Sequence, residues 1–293
     1  MNSKKIFVSG VSGFQGRAIT QLLLEKGYNV SALVRNLESS NIDNRVEAIL
    51  GKFENIDEVS SALRDVNGAV FTLPLLFDMD EAVSITKNFI EAAKKESVPL
   101  IVFNTSFDLP KEKVGMLGVD IKVILKKEFD QSGLNVITIS PDIYLDNIAA
   151  PWSIPLIVEK GILPYPIKKG QKVPWISHVD LAKYVVAAIE NPELKGRTLF
   201  VGGNLLTGEQ IAEAIGAKID KPVHFVSLSP DEFEQNLSPN FGSLAAKEIS
   251  NLYRFLDSNI DRIVAKDYEV SRELLNVAPQ SLAEWIETIQ WNY

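Results

Sequence analysis

The chain contains 293 residues, with 46% hydrophobic and 23% charged side chains and a formal net charge of −8 at pH 7. This acidic balance argues against nucleic acid or an anionic membrane as the main partner, because both repel a negatively charged surface. The absence of cysteine excludes disulfides and thiolate catalysis, and with only two histidines, His178 and His224, we expect no metal site.

No segment approaches the ~20 consecutive apolar residues of a membrane span. The first predicted strand begins within a few residues of Met1, which leaves no room for a secretory signal. We therefore expect a cytoplasmic protein with no membrane partner, long enough for one large domain or two modest ones.

The N-terminal stretch has the pattern of a strand, a glycine-rich turn, a helix and a second strand. The apolar run 6–8 is typical of a buried parallel strand. Gly10, Gly13 and Gly16 follow it directly. Apolar residues then recur at helical spacing up to Gly27, which fits a helix C-cap.

This arrangement predicts a dinucleotide site. Unpaired N–H groups and a partial positive charge at a helix N-terminus attract a pyrophosphate, and glycines let the backbone approach it. The G-x-x-G-x-x-G spacing differs from the commonest G-x-G-x-x-G fingerprint. Its place between a buried strand and an amphipathic helix nevertheless favours a nucleotide site over a merely structural turn. The loop residues predicted to bind the coenzyme are Gly10, Ser12, Gly13, Phe14, Gln15 and Gly16.

Arg35 stands at the end of the second predicted strand, where such folds bind the ribose of the adenosine half. A carboxylate there would bind the 2′-hydroxyl of NAD, whereas a guanidinium suits the 2′-phosphate of NADP. Arg35 therefore predicts a preference for NADP(H) over NAD(H). The alternative is a solvated arginine at a strand end.

The alternation of strands and helices continues along the chain. Further strands are predicted at 46–50, 69–73, 100–103, 135–139 and 198–201, and helices at 56–63, 81–95, 119–131 and 179–190. This alternation predicts right-handed βαβ units and an α/β fold with a Rossmann-type doubly wound parallel sheet. Prolines interrupt 150–172, and the residues after 207 are predicted to be mostly helical, with one strand at 223–226.

The same pattern predicts two structural parts. An NAD(P)-binding Rossmann domain is expected at 1–150, and 173–204 are expected to return to it. The remaining segments, 151–172 and 205–293, are predicted to form a smaller, mostly helical substrate-binding lobe.

Ligands of open parallel sheets bind beyond the carboxyl ends of the strands, so residues at the predicted strand ends should line one crevice. Those predicted to bind the coenzyme there are Lys52, Phe53, Thr72, Leu73, Pro74, Asn104, Thr105, Pro141 and Ile143. Phe107, Tyr144 and Trp152 also follow strand ends and are candidate substrate contacts. For Trp152 the alternative is a packing role, which we expect for the other tryptophans.

Six stretches carry a family resemblance: SGVSGFQG, SALVRN, VEAILGKFENIDEVSSALRDVNGAVF, KVILKKEFDQSGLNVITISPDIYLDN, VPWISHVDLAKYVVAAIENPE and GRTLFVGGNLLTGEQIAEAI. In this order they resemble the TGATG-x-x-G opening of the NmrA-like group, its second strand with a terminal arginine, and its third strand, helix and fourth strand. The last three resemble its helix, Ser-Gly-Leu link and sixth strand, and its later helix and seventh strand. This group of atypical short-chain dehydrogenase/reductases includes relatives of the isoflavone and pinoresinol reductases and NADPH:quinone oxidoreductases. The resemblance implies an NADP-type coenzyme across the glycine loop, with Arg35 on its 2′-phosphate.

The resemblance also implies a catalytic and coenzyme-binding role for Lys122, which lies eleven residues before Gly133. In the reductase branch, a lysine at this spacing contacts the nicotinamide ribose and serves as general acid or base. A lowered pKa in a partly buried site would let the amine relay a proton. The alternative is a helix-surface lysine that reaches water.

Two positions depart from the pattern of the family. The Tyr-x-x-x-Lys pair of ordinary short-chain dehydrogenases is absent, because the residue four before Lys122 is Gly118. A phenol donor would have to come from elsewhere, with Tyr144 as the candidate. Gly51-Lys52 replaces a common Gly-Asp whose aspartate faces the adenine amino group. Because lysine cannot accept a hydrogen bond, we interpret Lys52 as a second cation for the 2′-phosphate.

The predicted function is NADPH-dependent reduction of a small quinone, carbonyl or enone-like substrate by hydride transfer. Quinone reduction requires little acid–base machinery, which fits the missing tyrosine. The alternative is a non-catalytic redox sensor that binds NADP(H) and acts through a protein partner, as some members of the group do. Sugar-nucleotide epimerisation is disfavoured because those enzymes resemble the Tyr-x-x-x-Lys type. The sequence leaves a homodimer open.

Overall fold

The computed structural model describes residues 3–37, 42–151 and 153–291. Its strands are short and mostly buried. They are β1 (Lys5–Val8), β2 (Asn29–Val34), β3 (Glu47–Leu50), β4 (Gly68–Thr72), β5 (Ile101–Asn104), β6 (Val136–Pro141), β7 (Ile143–Tyr144), β8 (Ile162–Tyr165), β9 (Val173–Ile176), β10 (Thr198–Val201), β11 (Asn204–Leu206) and β12 (His224–Ser227).

Several of the α-helices begin at a side-chain cap, and the longer ones are amphipathic. The α-helices are α1 (Phe14–Glu25), α2 (Ile56–Leu63), α3 (Met79–Lys95), α4 (Leu117–Gln131), α5 (Ile154–Lys160), α6 (His178–Glu190), α7 (Gly208–Lys218), α8 (Pro230–Phe241), α9 (Ser243–Ser258), α10 (Ile260–Val264), α11 (Glu269–Leu275) and α12 (Leu282–Thr288). Among the described residues, no helix combines the length and the apolar character needed to cross a bilayer.

Backbone contacts divide the chain into two units. The first comprises Met1–Pro141, Leu181–Val201 and Glu269–Val277, and the remaining residues form the second. The sequence pattern placed 142–150, 173–180 and 202–204 in the first part and 269–277 in the second, whereas the backbone contacts assign each of these segments to the other unit. The pairing of β7 with β9 draws 142–150 into the second unit, and the packing of α11 on β10 draws 269–277 into the first.

The first unit contains a seven-stranded sheet in the order β3-β2-β1-β4-β5-β6-β10. Its strand pairings are parallel, with Phe7 opposite Ser31 on one side and Ala69 on the other. The chain moves outward from β1 first in one direction and then in the other, so the topological switch point lies between β1 and β4. The predicted Rossmann-type doubly wound sheet is confirmed.

Six phenylalanines fill the core on one face of this sheet. They are Phe7, Phe53, Phe71, Phe89, Phe103 and Phe129, with ring centroids of neighbouring pairs 4.6–6.4 Å apart. Phe71 lies at their centre, 4.6 Å from Phe89 and 5.4 Å from Phe129. Edge-to-face and tilted aromatic pairs add to the free energy of area burial. This layer fixes the strands whose ends form the crevice.

The second unit contains a three-stranded sheet, β11-β9-β7, and a two-stranded sheet, β12-β8. Its core includes Trp175, Trp285 and Trp291, which are 0, 1 and 6% exposed, so their expected packing role is confirmed. The helical C-terminal region agrees with the prediction. The strands β8 and β9 were not predicted because Pro164 and Pro174 interrupt their apolar pattern, and β7 and β11 were not predicted because they are only two and three residues long.

We expect Phe71→Ala to lower the free energy of unfolding by about 3–5 kcal/mol, because it removes a fully buried ring at the centre of the aromatic layer. Urea titration followed by circular dichroism measures the change. Phe200→Ala, at a ring that is 37% exposed on an edge strand, serves as the control and should cost under about 1 kcal/mol. Equal losses in the two variants would contradict the central position of Phe71.

Candidate functional site: the carboxyl edge of the seven-stranded sheet

The glycine loop after β1 is shaped by the close approach of two backbone segments. Gly10 has a φ of 68°, a left-handed conformation that favours glycine. A Cβ at Gly16 would overlap the carbonyl oxygen of Gly10, so the first turn of α1 can lie against the loop only if residue 16 is glycine. The amide of Gly13 closes the turn by donating to Gly10 O at 2.9 Å.

The N-terminus of α1 differs from those of α2 and α3. Asn55 and Asp78 cap α2 and α3 with their side chains, and both helices have acidic residues in the first turn. In α1 the N-cap is Gly13, which has no side-chain cap, and the first turn carries no acidic residue. The first backbone bond runs from Arg17 N–H to Gly13 O, so the preceding N–H groups have no acceptor within the helix. Such an end is suited to an anion.

Ser9 joins the ends of β1 and β4 at the switch point. Its hydroxyl donates to Thr72 O at 2.9 Å and accepts from Thr72 N–H at 2.7 Å. These two bonds extend the connection between β1 and β4 by one residue past the end of β1. They hold the glycine loop beside Thr72. The predicted positions Gly10 and Thr72 are therefore neighbours in space.

A second set of hydrogen bonds connects Gln15 of α1 to the end of β5. Asn104, which is fully buried, donates from Nδ2 to Gln15 Oε1 at 2.7 Å and to Thr72 Oγ1 at 3.3 Å. Its Oδ1 accepts from Ser106 N–H at 3.0 Å. Ser106 has a φ of 68°, a conformation uncommon for a non-glycine residue. The turn after β5 is thus closed around the Asn104 amide.

Two cations stand at the ends of the neighbouring strands β2 and β3. Arg35 and Lys52 are both exposed and form no hydrogen bond or ion pair through their side chains within the described part of the chain. Gly51 N–H donates to Val34 O at 2.9 Å, so the two strand ends are adjacent. Glu58 accepts the Lys52 backbone N–H at 2.7 Å and so fixes the loop while the lysine side chain remains exposed.

Several predicted coenzyme contacts have side chains directed elsewhere. Phe53 is half-buried in the aromatic layer and Leu73 is buried in the same core, so both side chains contribute to packing. Thr105 is also buried, and its hydroxyl donates within the turn to Phe107 O at 2.7 Å, which agrees with the strand-capping alternative. Pro74 is exposed after β4, and Pro141 is buried at the end of β6.

Lys122 lies in the second turn of α4 with only 7% of its surface exposed. Its Nζ has no hydrogen-bond partner among the described residues, and burial lowers its pKa from 10.5 to about 7. The nearby carboxylate of Asp120 is occupied, because it accepts the N–H groups of Val114 and Gly115 at 2.7 and 3.0 Å. An unpaired buried amine is unfavourable for stability unless a function retains it. The surface-lysine alternative is therefore excluded.

The predicted substrate contacts fall in different units. Phe107 is half-buried in the first unit, and Trp152 lies outside the described residues. Ile143 and Tyr144 belong to the second unit, where the Tyr144 ring lies 4.7 Å from the ring of His178. Burial lowers the pKa of His178, opposed by the charge of Asp146, whose carboxylate also accepts the His178 N–H at 2.8 Å.

Sequence reasoning missed the groups that hold the site residues in place. In the second unit, Asp142 forms a buried ion pair with Lys266 at 2.8 Å and accepts from the Tyr268 hydroxyl at 2.5 Å. Such long-range pairs leave no local signal in the sequence. Within the described residues, no cluster of three or more His, Asp or Glu side chains could hold a metal.

The fold and this edge define a Rossmann-type α/β protein of the kind whose sheet edge holds a dinucleotide. The chain belongs to the NmrA-like family, whose model matches residues 2–286. The resemblance seen in the sequence is thereby confirmed over nearly the whole chain.

Individual relatives span most of the chain. The NAD(P)H azoreductase of Xenophilus azovorans is 26% identical over 240 residues, which is 80% of each protein. The NADPH-dependent quinone oxidoreductase of Escherichia coli, solved with NADPH, aligns with a TM-score of 0.76 at 19% identity over 97% of this chain and 99% of the other. NmrA, a negative transcriptional regulator solved with NAD, aligns at 0.73 with 14% identity over 99% of both chains. At these identities the two structures establish the shared fold.

We expect the unpaired Lys122 amine to make stability depend on pH. Its folded pKa near 7 lies below the usual 10.5, so the unfolded chain binds more protons between these values and stability rises with pH across that window. Lys122→Met should therefore stabilise the coenzyme-free chain most below pH 7, by up to about 4 kcal/mol, and progressively less towards pH 10.

Urea titrations between pH 6 and 10 measure the difference between this variant and the unsubstituted chain. Lys127→Met, on the same helix at a side chain that is 49% exposed, is the matched control and should give a difference that does not vary with pH. A constant difference for Lys122→Met as well would contradict the lowered pKa.

Proposed function

We propose that the chain is an NADPH-dependent reductase that transfers hydride to a small quinone, carbonyl or enone-like substrate. The observation that carries this proposal is the buried, unpaired Lys122 on α4. Helix α4 is the helix that follows β5, after the connection 105–116, which leaves the sheet at the carboxyl edge that also carries the glycine loop.

The residues present fit an NADP-type coenzyme. Gly16 lets the first turn of α1 lie directly on the loop after β1, and the uncapped start of α1 offers donors to a pyrophosphate. Arg35 and Lys52 would bind the 2′-phosphate at the ends of β2 and β3. When bound, the coenzyme supplies a hydride from C4 of its nicotinamide.

Lys122 would supply the proton. Reduction of a quinone to a hydroquinone consumes one hydride and one proton. A pKa near 7 makes the ammonium and the amine comparably populated at neutral pH, so Nζ can give that proton to the substrate oxygen and recover it from water. This role removes the need for the tyrosine that the Tyr-x-x-x-Lys pair would provide.

The named relatives support this choice of reaction. The azoreductase and the quinone oxidoreductase are reductases by name, and the second was solved with NADPH. The likeness to a transcriptional regulator solved with NAD keeps the redox-sensor alternative open at the level of the fold. A sensor that only binds the dinucleotide has no need of a buried amine with a lowered pKa, so Lys122 favours the enzyme.

A turnover assay tests the proposal. Purified protein is mixed with NADPH and a panel of quinones, and the loss of absorbance of the reduced nicotinamide is followed. We expect turnover with at least one quinone and a fall in kcat of about 100-fold or more in Lys122→Met, with activity retained in Lys127→Met. If no acceptor is reduced while NADP and NADPH bind with clearly different affinities, the sensor replaces the enzyme.

The coenzyme preference has a separate test. Lys52→Asp should weaken NADPH binding relative to NADH by about tenfold, because a cation near the 2′-phosphate becomes an anion. Titration calorimetry with both coenzymes gives the ratio. Lys4→Asp makes the same charge change just before β1, at the opposite edge of the sheet, and should leave the ratio unchanged. An unchanged ratio in Lys52→Asp would refute the role of Lys52.

A further inference from the structure

The orientation of the Asn104 amide is fixed by its surroundings. Only an oxygen can accept the Ser106 N–H, so the atom 3.0 Å from Ser106 N must be Oδ1. The other amide atom is therefore the donor Nδ2, which points to Thr72 Oγ1 and to the side chain of Gln15. Because Asn104 is fully buried, water does not offer it a competing set of partners.

This orientation determines that of Gln15. The atom that receives the Asn104 Nδ2–H bond at 2.7 Å must be an oxygen, so Oε1 faces Asn104 and Nε2 faces away. Gln15 is half-buried in the first turn of α1, and its Nε2 has no partner within the described residues. A chain of three hydrogen-bonding groups thus presents an NH2 group beside the uncapped end of the helix.

We propose that Asn104 is a positioning residue that acts through Gln15, and that Gln15 Nε2 donates a hydrogen bond to the pyrophosphate of the coenzyme. A pyrophosphate has only acceptors, so a carboxamide beside it binds through its NH2 group and is repelled through its oxygen. The buried Asn104 and the backbone of Ser106 select the binding orientation before the ligand arrives. This inference rests on the coenzyme site of the proposed function and assigns Asn104 an indirect role.

A double-mutant cycle on NADPH affinity tests it. Gln15→Met keeps the length of the side chain and removes the donor, and we expect NADPH affinity to fall about tenfold. Asn104→Asp presents only oxygens, so the Gln15 amide turns its NH2 group inward and its oxygen toward the pyrophosphate. We expect an affinity loss of about tenfold or more, which shrinks to a few-fold when Gln15 is already methionine. The loss of affinity that Asn104→Asp still causes in the Gln15→Met background measures the effect of the added negative charge alone.

Two further measurements separate positioning from damage to the fold. Adenosine 2′-monophosphate carries the 2′-phosphate and no pyrophosphate, so its affinity should be the same in all four proteins of the cycle. Thermal melts of the coenzyme-free proteins report whether the variants fold. A variant that weakened both ligands equally would have lost structure rather than a pyrophosphate contact, and that result would overturn the inference.

The outcomes also distinguish this inference from the proposed function. If the unsubstituted chain binds neither NADPH nor NADH, the coenzyme site itself fails. If it binds NADPH and Gln15→Met binds it as tightly, the site stands and the role of Gln15 is wrong. Additive losses along the cycle would show that Asn104 does not act through Gln15.

Discussion

The contact between the Gly10 carbonyl and the backbone at Gly16 is the constraint on which the rest of the site depends. No side chain fits between them, so the first turn of α1 lies directly on the loop that follows β1. Ser9 then ties that loop to the end of β4, and Gln15 ties the helix to the end of β5. The switch point of the sheet becomes a crevice of fixed shape, walled by three strand ends and one helix start.

Some polar groups of the first unit have hydrogen-bond partners within the protein and others have none. The groups with partners stabilise the fold, whereas the groups without them lie at the candidate site. The starts of α2 and α3 are capped by side chains, and each oxygen of the Asp120 carboxylate accepts a hydrogen bond from a backbone N–H group. The start of α1 has no side-chain cap, and within the described residues the side chains of Arg35 and Lys52 and the Lys122 amine have no hydrogen-bond or ion-pair partner. Groups that destabilise the folded chain when alone are gathered at one edge, which is the usual arrangement of a ligand site.

The sequence predicted the parts of the molecule that are specified locally. Apolar runs and glycine spacing located β1, α1 and β2, because a buried parallel strand and a helix on its face leave distinct periodic patterns. The strands β8 and β9 escaped detection because Pro164 and Pro174 lie within them, and their pairing partners are remote in sequence. Strand-end residues were correctly located in the chain, but the direction of each side chain depends on tertiary packing. Phe53 and Leu73 therefore turned out to belong to the core, and the bond between Gln15 and Asn104 could not be foreseen.

The distribution of tryptophan has a spectroscopic consequence. No tryptophan falls in the segments of the first unit, whereas Trp175, Trp285 and Trp291 all belong to the second. Tryptophan fluorescence therefore reports on the second unit alone and does not monitor the phenylalanine-rich sheet of the first unit. A denaturation curve recorded by fluorescence and one recorded by backbone ellipticity thus observe different parts of the molecule, and any separation of their midpoints measures how independently the two parts melt.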